Sequence, residues 1–331
     1  MIHGQDTRMM RAIVQDTYGD EVLRPGEVDL PRIGDGEVLL RVRAAGVDRG
    51  VCHLMTGRPY PLRLMGYGLR APRNRVPGRE VAGRVETVGS DVTGLRVGDE
   101  LYGIVEGSFA EYARATPDKL APAPATVPAV QAAAVPISGL TALQAVRDAG
   151  RVQAGQRVLI IGASGGVGTF AVQIAKAFGA HVTGVCRTTK VDLVRTLGAD
   201  RVLDHTRDDI TRGERYDVVV DTGGHRSLTR LRRALTPRGT LVIVGSETGG
   251  RWLGGIDRLL RAALLSPFVG QKLIPLVNSE NAADLHALTE LIDSGAVTPA
   301  VDRTYALADT AAAVRYLTDG HARGKVVVSV W

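Results

Sequence analysis

Cysteine is almost missing from this chain: only Cys52 and Cys186 occur among 331 residues. Two cysteines exclude a disulfide framework and a four-cysteine zinc site, and they fit a reducing compartment. Aromatic residues make up 4% of the chain, too few for a base-stacking surface, so no nucleic-acid partner is expected. Long apolar runs are also lacking. The most apolar late stretch, Leu259–Val277, is broken by Arg261, Pro267, Gly270, Lys272 and Pro275, so no membrane span is expected. No secretory pattern is visible, and a cytoplasmic location is the expectation. The net charge of +6 comes from arginines spread along the chain, not from a basic tail, and suits an anionic cofactor.

What is present points to a dinucleotide. The apolar run Val158–Ile161 enters the turn Gly162-Ala163-Ser164-Gly165-Gly166-Val167-Gly168, and a helical pattern, Thr169–Phe178, leaves it. Strand, glycine-rich turn and helix in that order aim backbone N–H groups and the helix dipole at a pyrophosphate. Ala163 takes the first place in the G/A-x-G-x-x-G spacing, followed by Gly165 and Gly168. An NAD-binding chain usually carries an acid about 20 residues later, on the ribose hydroxyls. Here the next strand, His181–Cys186, ends in Cys186, and Arg187, Thr188 and Lys190 follow. Missing acid and added cations favour a 2′-phosphate, hence NADPH.

The chain divides into two kinds of material. Residues 1–133 read as a β-rich unit with strands at Arg11–Gln15, Glu37–Ala45, Glu80–Val88 and Glu100–Val105. Residues 134–276 alternate strand and helix, with strand cores at Arg157–Ile161, His181–Cys186, Arg201–Asp204, Asp217–Asp221 and Thr240–Gly245, and helices including Thr188–Leu197 and Ser227–Leu235. That alternation predicts an α/β fold with a doubly wound parallel sheet. Residues 277–331 are expected to fold back onto the β-rich unit, with helices at Ala282–Ser294 and Asp309–Leu317 and strands at Ala300–Leu307 and Lys325–Val330.

Eight short words in shared order then resemble the medium-chain dehydrogenase/reductase superfamily over nearly the full length. They are Ala44-Ala45-Gly46-Val47-Asp48, Pro77-Gly78-Arg79-Glu80-Val81-Ala82-Gly83, Val88-Gly89, Val97-Gly98-Asp99, Ala132-Ala133-Ala134-Val135-Pro136, Gly139-Leu140-Thr141-Ala142, Ala163–Gly168 and Leu197-Gly198-Ala199-Asp200. The chain looks most like the zinc-independent quinone-reductase-like branch, and is similar to bacterial chains labelled NAD(P)-dependent alcohol dehydrogenase. The resemblance implies a Rossmann domain plus a β-rich GroES-like catalytic domain. It also implies an NADPH-dependent reductase of quinones, enones or other activated carbonyls. An NADP-dependent alcohol dehydrogenase or ketone reductase is the enzymatic alternative. A non-catalytic NADPH-binding or membrane-surface scaffold, served by the basic segments Arg58–Arg79 and Arg251–Arg261, is the other.

The zinc branch has Cys, His and Cys where this chain has Asp48, Arg79 and Ile137. Arg and Ile offer no lone pair to a metal, so no metal site is expected. Two readings of the replacement stand side by side: an Asp48–Arg79 ion pair filling the vacated corner, and Arg79 donating to a substrate carbonyl as zinc would polarise it. The resemblance also implies that Tyr60 lines the cleft of a small-molecule substrate. His53 falls where some relatives carry Tyr, and the resemblance places Thr141, Gly245 and Ser246 near the nicotinamide. It likewise implies His205 beside the adenosine phosphate, where many NADPH-binding relatives have Tyr. Relatives that dimerise through an edge of the nucleotide domain make Phe268–Val277 the candidate contact of a homodimer. The Arg-rich segment Arg58–Arg79 reads either as a lid or as a solvated loop anchored by its apolar residues.

Overall fold

The computed structural model describes residues 8–19, 21–245, 250, 252 and 254–331. Chain order gives a hairpin of β1 (Met9–Val14) and β2 (Arg24–Asp29), then β3 (Val38–Val47), α1 (Arg49–Thr56), β4 (Glu80–Val88), β5 (Glu100–Ile104), β6 (Tyr112–Ala115) and β7 (Leu120–Pro122). Two helices, α2 (Ala129–Ala132) and α3 (Pro136–Leu143), cross to a second sheet. That sheet is built by β8 (Arg157–Ile161), α4 (Gly166–Ala177), β9 (His181–Cys186), α5 (Val191–Thr196), β10 (Arg201–Asp204), β11 (Tyr216–Asp221), α6 (Leu228–Ala234), β12 (Leu235–Ile243), α7 (Ile256–Leu265) and β13 (Lys272–Pro275). The chain returns through α8 (Ala282–Asp293), β14 (Val301–Ala306), α9 (Thr310–Thr318) and β15 (Lys325–Ser329).

Six strands pair in the order β10-β9-β8-β11-β12-β13, all parallel. β8 is apolar from Val158 to Ile161 and buried there, as expected of a strand covered by helices on both faces. The order reverses between β8 and β11, and the crevice beyond the strand ends at that switch point is where such sheets bind ligands. The second sheet runs β14-β15-β3-β4-β5-β7, with β6 also pairing β3. β15 lies antiparallel to β3, carrying the tail back onto the N-terminal unit.

Local differences from the sequence reading have physical causes. α4 starts at Gly166, three residues before the expected Thr169, because Gly165 takes the N-cap position. The expected Thr188–Leu197 helix opens as a tight turn over Thr188–Lys190 and becomes α-helical at Val191. β12 begins at Leu235, five residues before Thr240, with a register irregularity against β11. α3 shows no amphipathic period because seven of its eight residues are buried; a helix covered on all sides carries no polar stripe.

One apolar cluster crosses the boundary between the sheets. Ala44, Ala82 and Tyr102 join Ala132–Val135 and Leu140, and these join Val158 and Phe170. Small side chains at the crossing bring α2 and α3 close to both sheets. The Tyr102 hydroxyl donates to Leu285 O at 2.6 Å, tying β5 to α8.

Candidate active site

The glycine loop sits at the carboxyl end of β8, at the switch point. No side chain caps the N-terminus of α4, so its first N–H groups are available to an anion. Gly168 is required by contact: a Cβ there would lie 2.1 Å from Gly162 O and 2.8 Å from Ala163 Cα. Ala163 and Ser164 are buried beneath the loop. A Cβ on Gly165 would meet only Gly162 O, at 3.4 Å, leaving its other side open. The loop therefore has the shape and the donors of a pyrophosphate cradle.

The adenosine end is more mixed than the sequence suggests. Arg187 and His205 are exposed beside each other's strand ends, with His205 N donating to Cys186 O at 3.0 Å. Thr188 donates to Asp204 Oδ2 at 2.5 Å, and Thr206 donates to Oδ1 through its backbone N and its hydroxyl. These bonds, Thr188's foremost, hold the Asp204 carboxyl down at about 2. Lys190 is the correction. Its ammonium donates to Gly320 O at 3.2 Å and Ala322 O at 2.6 Å, so it clamps the returning tail instead of standing open for a phosphate. Burial pulls its pKa down. The sequence missed this because the two carbonyls lie 130 residues away.

At the nicotinamide end, Thr141 is nearly buried and donates to Ile137 O at 2.6 Å. Gly245 O accepts from Arg258 at 3.1 Å, and the same guanidinium pairs with the fully buried Asp221. Arg258 thus fixes α7 over the ends of β11 and β12. Ser246 lies outside the described residues.

The corner that holds zinc in the metal branch is filled by charge, but not as expected. The direct Asp48–Arg79 pair does not form. Asp48 instead caps α1, with Oδ1 accepting from Gly50 N at 2.5 Å and Val51 N at 3.2 Å. Its other oxygen, Oδ2, is buried without a partner. Arg79 pairs with Glu280 at 2.5 Å, and Lys119 reaches the second Glu280 oxygen at 3.1 Å. An N-cap position satisfies a carboxylate locally, and Glu280, far off in sequence, reaches Arg79 better. Burial opposes the charge of both partners. For Arg79 the field of Glu280 outweighs it, and for Glu280 that of Arg79 and Lys119 does.

Glu80, next in the chain, turns into the protein. It is fully buried, accepts from Ile137 N at 2.9 Å and pairs with the buried ammonium of Lys325. Burial pushes its carboxyl up to about 7. Lys325 follows Gly324, whose N donates to Ser164 O at 3.0 Å, and its stem lies against Gly166. The pair therefore sits directly under the glycine loop. Glu80, Lys325, Glu280 and Arg258 were not among the residues expected from the sequence. The first two had a signal: a charge inside an apolar strand run, Glu80-Val81-Ala82 and Lys325-Val326-Val327-Val328.

Tyr60 and His53 separate. Tyr60 is half-buried and meets Trp252 edge-on, ring centroids 5.1 Å apart, with the Arg63 guanidinium 4.9 Å from its centroid. It thus stands where the two domains touch. His53 lies on the exposed side of α1 with Nδ1 3.1 Å from Arg58 O, so the structure gives it a loop-bracing contact and none to Asp48 or Arg79. Among the described residues, no cluster of three or more His, Cys, Asp or Glu is placed to hold a metal. The donor set at the vacated corner, one capping carboxylate beside a guanidinium and Ile137, does not fit zinc.

Residues 34–125 match the family described as alcohol dehydrogenase GroES-like domain, and residues 197–328 match the family described as zinc-binding dehydrogenase. The chain is 31% identical to the mitochondrial NAD(P)H oxidoreductase RTN4IP1 of Danio rerio, over 97% of this chain and 92% of that one. It is 32% identical to a chloroplastic NADPH-dependent alkenal/one oxidoreductase of Arabidopsis thaliana, over 96% and 79%. Among solved structures, a quinone oxidoreductase from Coxiella burnetii superposes with a TM-score of 0.83 at 27% identity, covering 98% of this chain and all of that one.

Proposed function

The chain belongs to the medium-chain dehydrogenase/reductase superfamily of oxidoreductases, and from that premise we propose that it reduces quinones, enones or related activated carbonyls with NADPH and without zinc. The observation that carries this reading is the uncapped glycine loop together with a corner whose carboxylates are committed elsewhere, Asp48 to the α1 cap and Glu280 to Arg79, and whose Arg79 and Ile137 offer no lone pair. The names of the quinone and alkenal/one relatives support the substrate class. Two buried thiols, Cys52 and Cys186, are in keeping with a reducing compartment such as the cytoplasm.

The glycine loop would hold the pyrophosphate, and Thr141 and Gly245 would border the nicotinamide. Bound there, the cofactor supplies a hydride. Addition of hydride to an enone or quinone carbon moves an electron pair onto the carbonyl oxygen, and a proton from water or a side chain completes the product. Arg79 keeps N–H donors beyond the one it gives Glu280, and these can stabilise the oxygen as its charge develops. Tyr60, at the cleft mouth, is the neutral donor. A saturated ketone lacks the conjugation that spreads this charge and is the poorer acceptor.

A substrate panel followed by nicotinamide absorbance tests the reading. Quinones and enones should turn over and simple ketones should lag, with activity retained in a chelator. Turnover of saturated ketones alone, dependent on one tightly held zinc per chain, would overturn it. Cofactor choice is tested by calorimetry. Arg187→Ala should weaken NADPH by about 1.5–3 kcal/mol, the loss of one hydrogen bond to a charged group, and leave NADH unchanged. Equal losses for both cofactors would remove Arg187 from the phosphate site.

A further inference from the structure

The segment after α1 is built backwards for a solvated loop. It turns its arginine inward: Arg63 donates to Gly57 O at 2.9 Å and packs its guanidinium 4.3 Å from the Tyr18 ring centroid. It turns its apolar side chains outward: Leu64, Met65 and Leu69 are 64–77% exposed. The shape is held firmly. The Tyr18 hydroxyl donates to Tyr67 O at 2.8 Å and Gly68 O at 2.7 Å, and Gly68 adopts φ +107°, where an added Cβ would lie 2.1 Å from Ala71 O. Trp252, 73% exposed, adds its ring beside Tyr60, and Gly254 packs on Pro59. The apolar rim therefore lies beside Tyr60, which the proposed function places at the mouth of the cleft.

The segment that carries this rim is basic, although Arg75 is paired with Asp16 and Arg79 with Glu280. From Arg49 to Arg79 the sequence contains seven arginines and no acid. Arg70 and Arg73 stand exposed just past Leu69. Outward apolar side chains with adjacent cations complement an anionic lipid surface, where acyl chains take the former and headgroups the latter.

We propose that this rim docks the enzyme on an anionic membrane surface, with the cleft mouth facing the lipid, so that hydrophobic acceptors reach the active site from the bilayer. The substrate half of this statement rests on the proposed reductase activity; the docking half does not. Co-sedimentation with vesicles of phosphatidylcholine containing about 30% phosphatidylglycerol, at about 20 mM salt where screening is weak, reads docking alone. Roughly tenfold more protein should sediment than with pure phosphatidylcholine, and about 500 mM salt should remove most of the excess. The Leu64→Gln/Met65→Gln and Arg70→Gln/Arg73→Gln variants should each lose at least about fivefold of the binding, while turnover of a water-soluble quinone stays within about twofold. Sedimentation that is absent, or unchanged in both variants, would overturn the proposal. So would a wild-type dimer that Leu64→Gln/Met65→Gln makes monomeric without affecting sedimentation, since a second copy would then own the rim. Soluble-quinone turnover that fails while anionic vesicles are still bound would reject the reductase reading and leave the docking standing.

Discussion

Arg79 and Glu80 are neighbours, each forms an ion pair, and the two pairs live in different media. Arg79 and Glu280 keep 23% and 18% of their side-chain surfaces exposed. Glu80 and Lys325 keep 0% and 2%, under the glycine loop. The divergence follows from strand geometry, since consecutive side chains leave a strand on opposite faces. Arg79 stands just before β4 and Glu80 is its first residue, so one side chain turns toward Glu280 and the other toward Lys325 beneath the glycine loop. The exposed pair can share its remaining donors with a ligand. The buried pair has no such freedom, and its role is to hold Gly324, Ser164 and Gly166 in place.

The largest test of that contrast is removal of Lys325. Lys325→Met strands the Glu80 carboxylate, and breaking a buried pair in this way costs about 3–5 kcal/mol. Urea unfolding at pH 8 should show that loss. At pH 5 the stranded carboxyl is protonated, so the cost should shrink by more than half. A loss under about 1 kcal/mol at both pH values would mean that the pair is not the support described here, because a truly buried unpaired charge cannot be that cheap.

The two glutamates should also give opposite pH slopes. Burial raises Glu80 from the ordinary glutamate value of 4.5 to about 7. Between those values the folded chain holds a proton that the unfolded chain has released, so the stability contributed at Glu80 falls as pH rises through the window and is flat above it. The size is on the order of 2 kcal/mol. Glu280 is depressed, burial notwithstanding, by Arg79 and Lys119. Its contribution is present above the ordinary glutamate value and is lost as pH falls below it. Subtracting the Glu80→Gln stability curve from wild type should leave a decline from pH 5 to 7. Glu280→Gln should instead cost about 1 kcal/mol at pH 7, being partly screened by solvent, and progressively less as pH falls below the ordinary glutamate value. Curves of the same sign for both variants would erase the distinction.

The sheet of the nucleotide domain was legible because its signals are local. Val158–Gly168 carries strand, turn and helix within one stretch, and α4 needed only its cap corrected. The tail's return was expected from its change of material after the nucleotide domain and its closing strand Lys325–Val330, and β15 does pair with β3. The charged corner around Arg79 was not legible, because its partners come from five separate segments. Nothing near Arg79 in sequence announces Glu280, and Asp48 was read for its charge when its position before α1 made it a cap. Lys190 was misread for the same reason, its carbonyl partners Gly320 and Ala322 belonging to the tail. Local grammar gives elements and the cofactor loop; pairing of charges over 100 to 250 residues needs the fold.

The smallest effect expected is at Tyr60, and it sharpens the comparison by asking whether a neutral donor contributes beside the two ion pairs. Its ring is held by the edge contact with Trp252 and by Arg63, so Tyr60→Phe keeps the packing and removes only the hydroxyl. General acid help is worth about 10²–10⁴-fold where nothing else can supply the proton. Tyr60 is only half-buried, so water can compete with it, and on the proposed reading Arg79 shares the developing charge. The expected fall in turnover is therefore about tenfold or less, with NADPH affinity unchanged because the ring packing against Trp252 and Arg63 is kept. A weaker NADPH affinity with unaltered turnover would show that Tyr60 braces the domain contact through Trp252 and donates nothing. A fall of about a thousandfold would make Tyr60, not Arg79, the main partner of the substrate oxygen, and would move the centre of the chemistry from the charged corner to the mouth.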